Sequence, residues 1–166
     1  LTEIVMLTTL YLGGEPCTGD KEILRKVRDK LVEAKPKWIS MDYAAPESYA
    51  KGDIAAGVNW NGYTARARVL NSDIKFGFPK EGFPVWMDNV AVVKGSKNVE
   101  NAKLFQNFIM DPQNAAMISN FALYRDGIKG SEQFYAEPLK SAPEINPSDE
   151  VMKLGHFSLT CPPEVQ

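Results

Sequence analysis

The chain has 166 residues, enough for one domain with a hydrophobic core of its own but too few for two full domains. Hydrophobic residues make up 44% and charged residues 24%, which is typical of a folded globular protein and argues against disorder. The formal net charge is −2, whereas nucleic-acid-binding proteins usually carry a basic excess, so that class of function is disfavoured. No apolar run approaches the roughly 18 residues that a membrane-spanning helix needs.

The N-terminal residues indicate that the sequence starts inside a longer protein. Leu1 is not an initiator methionine, and residues 1–7 lack the basic region and the small-residue cleavage site of a signal peptide. We therefore expect that further chain precedes Leu1 in the complete protein.

Two amphipathic helices are predicted in the first part of the chain. Residues 2–12 carry a helical stripe of apolar residues that ends at a glycine pair. Residues 21–34 form the clearest amphipathic pattern, with Asp20 placed to cap the first turn and Pro36 placed to end the helix.

Strands and further helices are predicted to alternate over the rest of the chain. Apolar runs bounded by turn residues predict strands at residues 38–41, 54–60, 74–78 and 85–93. The helices are predicted at 46–51, at 63–70, after Asn98, and after Asp111-Pro112. Beyond Gly130 the sequence is rich in Pro, Glu and Ser and predicts a polar tail. The alternation predicts an α/β fold with a mostly parallel sheet flanked by helices.

The helices after Asn98 and after Asp111 each carry an apolar face that the periodicity assigns to the interior. These faces comprise Ala102, Phe105, Phe108 and Ile109 in the first helix and Ala115, Ile118, Phe121 and Ala122 in the second.

The sequence contains few residues that suggest catalysis. His156 is the only histidine, so clusters of several histidines around a metal ion are excluded within the chain, and we expect no metal or other cofactor. Cys17 and Cys161 are compatible with a disulfide in an oxidising compartment or with two buried thiols. An enzyme that pairs one of these cysteines with His156 is an alternative function, but neither cysteine has the sequence context of an active site.

Aromatic residues stand beside a carboxylate near the ends of two predicted strands. Trp60 closes the strand at 54–60, and Trp86 lies two positions before Asp88, which places both on one face of a strand. Aromatic faces and carboxylates both attract an organic ammonium ion. The combination therefore predicts a site for a small cationic amine.

Three stretches of the sequence, in one consistent order, resemble the spermidine/putrescine-binding proteins of ABC importers. They are PESYAKGDI leading to GVNWNG within residues 46–62, FPKEGFPVWMDNVAV at residues 78–92, and NVENAKLFQNFIMDP at residues 98–112. The resemblance runs from about Glu3 to at least Tyr124 and implies a type II periplasmic-binding-protein fold, in which two lobes close on a ligand. It implies that residues 1–166 form a single lobe, the second, with the first lobe and the final helix absent.

The resemblance also implies a role for individual residues. Trp60 and Trp86 would form aromatic walls along the ligand, Asp88 would anchor an ammonium group, and Glu3 would hold an amine further along. Tyr124 would contribute an aromatic hydrogen-bonding group. The resemblance implies no enzymatic activity but a periplasmic receptor that delivers putrescine, spermidine or a similar amine to an ABC permease in the membrane.

One departure from the family pattern leaves a second ligand class open. Arg125 and Asp126 follow Tyr124 where the family tends to have small polar residues. A guanidinium repels a polyamine but binds a carboxylate through two hydrogen bonds. A short zwitterion such as 4-aminobutyrate is therefore an alternative ligand, with its amine on Asp88 and its acid on Arg125.

Two further expectations concern partners. An isolated lobe exposes the surface that faces the missing first lobe, so we expect it to pair with another copy of itself or with a separate first-lobe chain. A pure docking module that binds a partner without any ligand is the remaining alternative.

Overall fold

A computed structural model describes residues 2–157 and Cys161. The helices are α1 (Thr2–Tyr11), α2 (Lys21–Ala34), α3 (Pro46–Lys51), α4 (Asn61–Leu70), α5 (Val99–Ile109), α6 (Pro112–Ala122), α7 (Glu137–Lys140) and α8 (Asp149–Met152). The strands are β1 (Phe83–Val85) and β2 (Gly155–Phe157), and two 3₁₀ turns lie at Lys35–Lys37 and Ser131–Phe134. Among the described residues, no helix has the length and apolar character needed to cross a membrane.

The helix ends follow the local sequence closely. Asp20 caps α2 by accepting hydrogen bonds from the backbone N–H groups of Glu22 and Ile23, as predicted. Helix α2 ends directly before the 3₁₀ turn that contains Pro36, because proline cannot donate the next helical hydrogen bond. Asp111 caps α6 in the same way as Asp20, with Pro112 in the first turn. These two boundaries confirm the predictions made from Asp20 and Asp111. Asn98 occupies the N-cap position of α5, as predicted, but its side chain accepts no capping hydrogen bond.

The described residues group into two compact units. Unit 1 contains residues 2–43, 77–87, 148–157 and Cys161, and unit 2 contains residues 44–76 and 88–147. The prediction of a single lobe over residues 1–166 stays a prediction, and each unit is described by itself.

Unit 1 is built on α1, which packs against both α2 and β1. Strand β1 pairs in parallel with β2, with Phe83 opposite Gly155 and Val85 opposite Phe157. Gly155 is required there, since a Cβ atom would lie 2.6 Å from a side-chain carbon of Val85.

A disulfide bond between Cys17 and Cys161 closes unit 1. The two Cα atoms lie 5.2 Å apart, a separation that a disulfide spans readily, and the bond joins residues 144 positions apart in sequence. Of the two possibilities that the sequence leaves open, the structure therefore has the disulfide.

Unit 2 buries its core where the sequence predicts a polar tail. Helix α3 packs on α4, and α7 packs on both α4 and α6. The buried cluster consists of Ala65, Ala116, Leu123, Tyr135, Leu139, Ala142 and Ile145. Four of these seven residues lie beyond Gly130, so the prediction of a polar tail is wrong. The apolar residues of that segment are too widely spaced among Pro, Glu and Ser to give a periodic signal.

An ion pair joins α4 to the segment that follows α7 within unit 2. The guanidinium Nε of Arg68 donates to Oε1 of Glu144 at 2.9 Å, and only 1% of the Glu144 side chain is exposed. The second carboxylate oxygen, Oε2, is buried without a hydrogen-bond partner among the described residues. Arg68 therefore supplies most of the compensation for a buried charge.

Three of the four predicted strands are absent from the described part of the chain. Residues 38–41, 54–60 and 74–78 form no strand, and the prediction at 85–93 is met only at Val85, the last residue of β1. A strand needs a neighbouring strand to form a ladder of hydrogen bonds, and the described sheet contains only β1 and β2. Residues 55–58 are exposed, so the expectation of a buried strand there is also wrong.

The periodicity assigns the apolar faces of α5 and α6 to the interior, but most of their large side chains are exposed. Phe105 and Phe108 of α5, and Ile118 and Phe121 of α6, are exposed, although Ala115 is buried. The periodicity therefore identifies the apolar faces, but no described segment covers them.

We predict that removing the disulfide destabilises the protein. Replacing both cysteines, in a Cys17→Ser/Cys161→Ser variant, should lower the free energy of unfolding by about 2–5 kcal/mol, since the unfolded chain loses a long cross-linked loop. Urea unfolding under oxidising conditions measures the difference. Adding a reductant should shift the unfolding midpoint of the parent protein and leave that of the variant unchanged. An equal shift of both proteins would contradict the prediction.

The Arg68–Glu144 pair gives a second prediction. Arg68→Leu should lower the free energy of unfolding by about 3 kcal/mol, because Glu144 is left buried without its cation. The double variant Arg68→Leu/Glu144→Leu should recover much of that loss. Arg28→Leu is the matched control, since Arg28 pairs with Asp29 on the surface and the change should cost less than about 1 kcal/mol. Equal losses at Arg68 and Arg28 in urea unfolding would refute the role of the buried pair.

Candidate functional site

Trp60 lies in unit 2 at the entrance to α4. Its backbone is extended and occupies the N-cap position, and its carbonyl accepts the first helical hydrogen bond, from Thr64 N–H at 3.1 Å. The backbone N–H of Trp60 donates to Oδ1 of Asn59 at 2.9 Å. The indole side chain is half-buried, so it is held in place yet remains partly accessible.

The start of α4 is fixed from two sides. The side-chain amide of Asn61 donates to the backbone carbonyl of Glu144 at 3.1 Å. Gly62 is buried against the ring of Tyr124, and a Cβ atom at that position would lie only 2.5 Å from the ring. A glycine at position 62 is therefore what allows the Tyr124 ring to lie against the helix that begins after Trp60.

Tyr124 also belongs to a small aromatic and cationic cluster. The guanidinium carbon of Arg66 lies 4.4 Å from the ring centre of Tyr63 and 5.7 Å from that of Tyr124. Arg66 also donates to the backbone carbonyl of Ala122. Burial raises the pKa of Tyr124, and the nearby Arg66 charge opposes that shift. The phenol of Tyr124 is therefore neutral at physiological pH.

Asp126 anchors the segment that follows Tyr124. Its carboxylate accepts hydrogen bonds from the hydroxyls of Ser119 (2.7 Å), Ser131 (2.6 Å) and Tyr135 (2.9 Å) and from the N–H of Ile128 (2.9 Å). Burial alone would raise the pKa of Asp126, but the four donors together hold the pKa below its usual value. Arg66 thus contacts the ring of Tyr124, and the anchored Asp126 follows Arg125 directly in the chain.

Arg125 and Asp88, both in unit 2, are exposed charged residues. Neither forms an ion pair with another residue of the described part of the chain. The exposure of Asp88 removes the electrostatic cost that a carboxylate within an apolar stretch would otherwise carry. Both groups are therefore open to an ionic ligand from outside.

Glu3 and Trp86 belong to unit 1. Glu3 lies in the first turn of α1. The hydroxyl of Tyr43 donates a hydrogen bond of 3.4 Å to Oε2 of Glu3. Burial and the negative charge of Glu3 raise the pKa of Tyr43. Trp86 follows β1 directly and is 37% exposed. Glu3 is thus an acceptor near the beginning of α1, and Trp86 presents part of its ring to solvent.

The six predicted ligand residues are therefore divided between the two units. Within unit 2, Trp60 lies two residues before Gly62, against which the Tyr124 ring packs. The sequence analysis missed the residues that hold Tyr124 in place, namely Gly62, Tyr63, Arg66 and Asp126. A spacing of four between Gly62 and Arg66 places them one turn apart on a helix. Their common partner, Tyr124, is distant from both in sequence. No local signal could have identified it.

The structure also bears on the alternative of a thiol enzyme. Cys17 and Cys161 are joined in a disulfide, so neither sulfur is a thiolate that could pair with His156. Among the described residues, no group of three or more His, Cys, Asp or Glu side chains is arranged to hold a metal ion.

Comparison with known proteins gives a consistent family assignment. A family model described as bacterial extracellular solute-binding protein matches residues 2–147. The putrescine-binding periplasmic protein SpuD of Pseudomonas aeruginosa is 29% identical over 160 residues, which cover 92% of this chain and 43% of the relative. The spermidine/putrescine-binding periplasmic protein 1 of Haemophilus influenzae is 25% identical, covering 93% of this chain and 43% of the relative. The chain spans less than half the length of these relatives.

A solved structure shows that the fold is shared. The putative spermidine/putrescine ABC transporter from Listeria monocytogenes matches with a TM-score of 0.81 at 22% sequence identity. The match covers 99% of this chain and 51% of that one. Together with the parallel strand pair and its flanking helices, it confirms the predicted α/β fold of the periplasmic-binding-protein type.

We predict that Asp126 stabilises unit 2 in a pH-dependent way. Asp126→Asn should lower the free energy of unfolding by about 1–2 kcal/mol at neutral pH, because hydrogen bonds to a half-buried charge are lost. The folded state holds the pKa of Asp126 below the unfolded value of about 4, so its contribution is complete above that pH. The contribution is lost as pH falls through the lower folded-state pKa.

Unfolding of the parent protein and of Asp126→Asn between pH 3 and pH 8 tests this. The difference between the two should be constant above about pH 5 and should shrink below about pH 4. Asp73→Asn, which changes an exposed aspartate of the same unit, is the control and should show no such difference. If the difference in the free energy of unfolding between the parent protein and Asp126→Asn grew as the pH fell, the stabilising role of the Asp126 carboxylate would be refuted.

Proposed function

The chain belongs to the family of bacterial extracellular solute-binding proteins, and on that premise we propose that it binds a small cationic amine of the putrescine and spermidine class. We propose that it does so as part of a periplasmic receptor that delivers the amine to an ABC permease. The observation that carries the proposal is the match, over more than nine tenths of this chain, to relatives named for binding putrescine or spermidine. No enzymatic step is part of it.

The chemistry of the exposed residues supports an amine ligand. Asp88 offers an exposed carboxylate that has no cationic partner among the described residues. An ammonium group at hydrogen-bond distance from that carboxylate gains a charge-assisted hydrogen bond, which is stronger than a neutral one. Trp60 and Trp86 are both partly exposed, and indole faces attract ammonium ions and cover methylene groups. We propose that Glu3 and Tyr124 supply the remaining polar contacts.

We propose that the ligand site is shared between this chain and a first lobe outside this sequence, which gives a simple physical mechanism for reception. A ligand that contacts two bodies at once binds the closed arrangement more tightly than the open one, so it shifts the population towards closure. The chain spans less than half of its relatives' length, so in this proposal the remaining contacts come from a first lobe outside this sequence. This chain alone should then bind the amine weakly.

A short zwitterion such as 4-aminobutyrate is the second candidate ligand, and Arg125 is the observation that favours it. The guanidinium is exposed, forms no ion pair within the described residues, and lies one position from Tyr124. A planar guanidinium binds a carboxylate through two parallel hydrogen bonds, while it repels the second ammonium of a diamine. Asp88 would hold the amine in either case.

The three tryptophans allow a direct test. In a titration of ¹⁵N-labelled protein with putrescine, the indole N–H signals of Trp60 and Trp86 should shift, while that of Trp38 serves as an internal reference. We expect a dissociation constant of about 1 mM for this chain. Asp88→Asn should weaken binding about tenfold or more, since loss of a hydrogen bond to a charged group costs about 1.5–3 kcal/mol. Asp73→Asn should leave it unchanged.

The same titration separates the two ligands. Replacing Arg125, in Arg125→Ala, should strengthen putrescine binding and abolish any preference for 4-aminobutyrate. Uniform shifts of all three indole signals, or a dissociation constant that is the same for Asp88→Asn and the parent protein, would contradict the proposed anchor. No shift with putrescine, spermidine or 4-aminobutyrate would contradict amine binding by this chain altogether.

A further inference from the structure

Helix α2 and the 3₁₀ turn that follows it carry a local excess of positive charge. Residues 21–37 contain seven basic and three acidic residues, although the chain as a whole has a net charge of −2. All ten of these charged residues are exposed to solvent. The segment is therefore a positively charged surface on a chain that is otherwise acidic.

The three acidic residues of this segment are already paired within it. Each carboxylate lies 2.7–3.0 Å from a basic side chain one to four positions away: Glu22 from Lys26, Asp29 from Arg28, and Glu33 from Lys30. The other four cations form no ion pair within the described part of the chain: Lys21, Arg25, Lys35 and Lys37. The excess charge of the segment thus belongs to side chains that are open to an anion from outside.

Four of the seven cations form a row along one side of the helix. Lys21, Arg25, Arg28 and Lys35 stand at positions i, i+4, i+7 and i+14, which is the spacing of residues along one helix face. Lys35 keeps helical backbone angles, with φ −48° and ψ −43°, so the row continues past the last residue of α2. At 1.5 Å of rise per residue, the row is about 21 Å long. We call these four residues the α2 basic stripe.

The other side of α2 attaches the stripe firmly to unit 1. Val27 is only 3% exposed, and α2 packs against α1. The stripe therefore faces solvent from a helix that is held by its apolar side. An open depression lies along the first two turns and is lined by Lys21, Leu24, Arg25 and Arg28.

From these features we infer that the α2 basic stripe is a docking surface for the anionic phospholipid headgroups of a membrane surface. A row of cations on a surface helix is attracted to the negative charge of such headgroups. Val32 lies on the same side of the helix, at position i+11, and is 63% exposed, so it adds an apolar contact at the bilayer interface. The helix would lie along the membrane surface without crossing it.

An acidic protein is the competing partner for the stripe. A specific protein interface has a well-packed centre that excludes water, and aromatic residues are enriched there. The stripe contains no aromatic residue, and its cations are long side chains around an open depression. Attraction to lipid headgroups requires only accessible positive charge near the membrane. The observations therefore favour a membrane surface.

This inference goes beyond the proposed function. The proposed receptor delivers its ligand to a permease in a membrane, and weak attachment to the lipids would keep the receptor close to that permease. The charges and exposures that carry the inference do not depend on which ligand the chain binds.

Co-sedimentation with lipid vesicles, without any amine, tests the inference. The vesicles contain equal parts of phosphatidylglycerol and phosphatidylcholine, and vesicles of phosphatidylcholine alone are the neutral reference. The protein should bind the anionic vesicles at low ionic strength and should not bind the neutral ones. Salt at about 0.5 M should release it, because the Debye length then falls to about 4 Å.

Removing the unpaired cations of the stripe should weaken this binding. The variant Lys21→Gln/Arg25→Gln/Lys35→Gln should bind the anionic vesicles at least about tenfold more weakly, since each cation near an anionic membrane changes binding about fivefold. The three side chains are exposed and form no ion pair within the described residues, so the variant should fold. Circular dichroism and thermal unfolding check that it does.

A matched control separates the stripe from net charge. Lys94→Gln/Lys97→Gln/Lys129→Gln removes the same charge from exposed positions of unit 2 and should bind the anionic vesicles like the parent protein. Equal weakening by the two triple variants would mean that only net charge matters and would overturn the inference. Failure of the parent protein to bind anionic vesicles at low ionic strength would also overturn it.

Two further measurements examine other anions. Inorganic phosphate at constant ionic strength should not displace the protein from the vesicles, and displacement would assign the stripe to free phosphate. Capture on immobilised poly-glutamate without vesicle binding would assign the stripe to an acidic protein surface. Either result would overturn the inference. In the amine titration the stripe variant should keep the dissociation constant of the parent protein, so the failure of one proposal is distinguishable from the failure of the other.

Discussion

The carboxylate of Asp126 is the interaction on which the organisation of unit 2 depends most directly. It accepts four hydrogen bonds from groups that lie both before and after it in sequence, so it joins the end of α6 to the segment that carries the buried Tyr135. A buried phenol needs a partner for its hydroxyl, and Asp126 provides it. The same carboxylate fixes the end of the short segment that presents Tyr124 and Arg125.

Close packing also orders the residues around Tyr124. Gly62 lets the Tyr124 ring lie against α4, and Arg66 holds both that ring and the carbonyl of Ala122. The half-buried Trp60 stands directly before the same helix. A receptor site benefits from such a preformed arrangement, because side chains that are already ordered lose less entropy when a ligand binds. Internal packing thus fixes the neutral Tyr124, and the exposed guanidinium of Arg125 belongs to the next residue along the chain.

Apolar burial within unit 2 is incomplete among the described residues. Its buried side chains in unit 2 are mostly small or medium in size, while several of its largest apolar groups stay in water. Burying a large apolar side chain contributes about 1.5–3 kcal/mol, so covering the four exposed side chains of Phe105, Phe108, Ile118 and Phe121 would contribute on the order of 10 kcal/mol. That is comparable with the whole stability of a typical domain. Exposed apolar faces of this size favour association.

Helices α1 to α6, the caps of α2 and α6 and the order of motifs that indicates the family can all be predicted from the sequence, because capping, proline and helical periodicity act within a few residues. The sequence also identified charged and aromatic residues suited to an amine. The pairing of Cys17 with Cys161, the buried core beyond Gly130 and the anchoring role of Asp126 became visible only in the three-dimensional structure. Each of these features depends on contacts between residues that are separated in sequence, or on which side chains the fold buries. The missing strands have the same cause: a strand exists only when a neighbour accepts and donates its hydrogen bonds, and local sequence does not contain that neighbour.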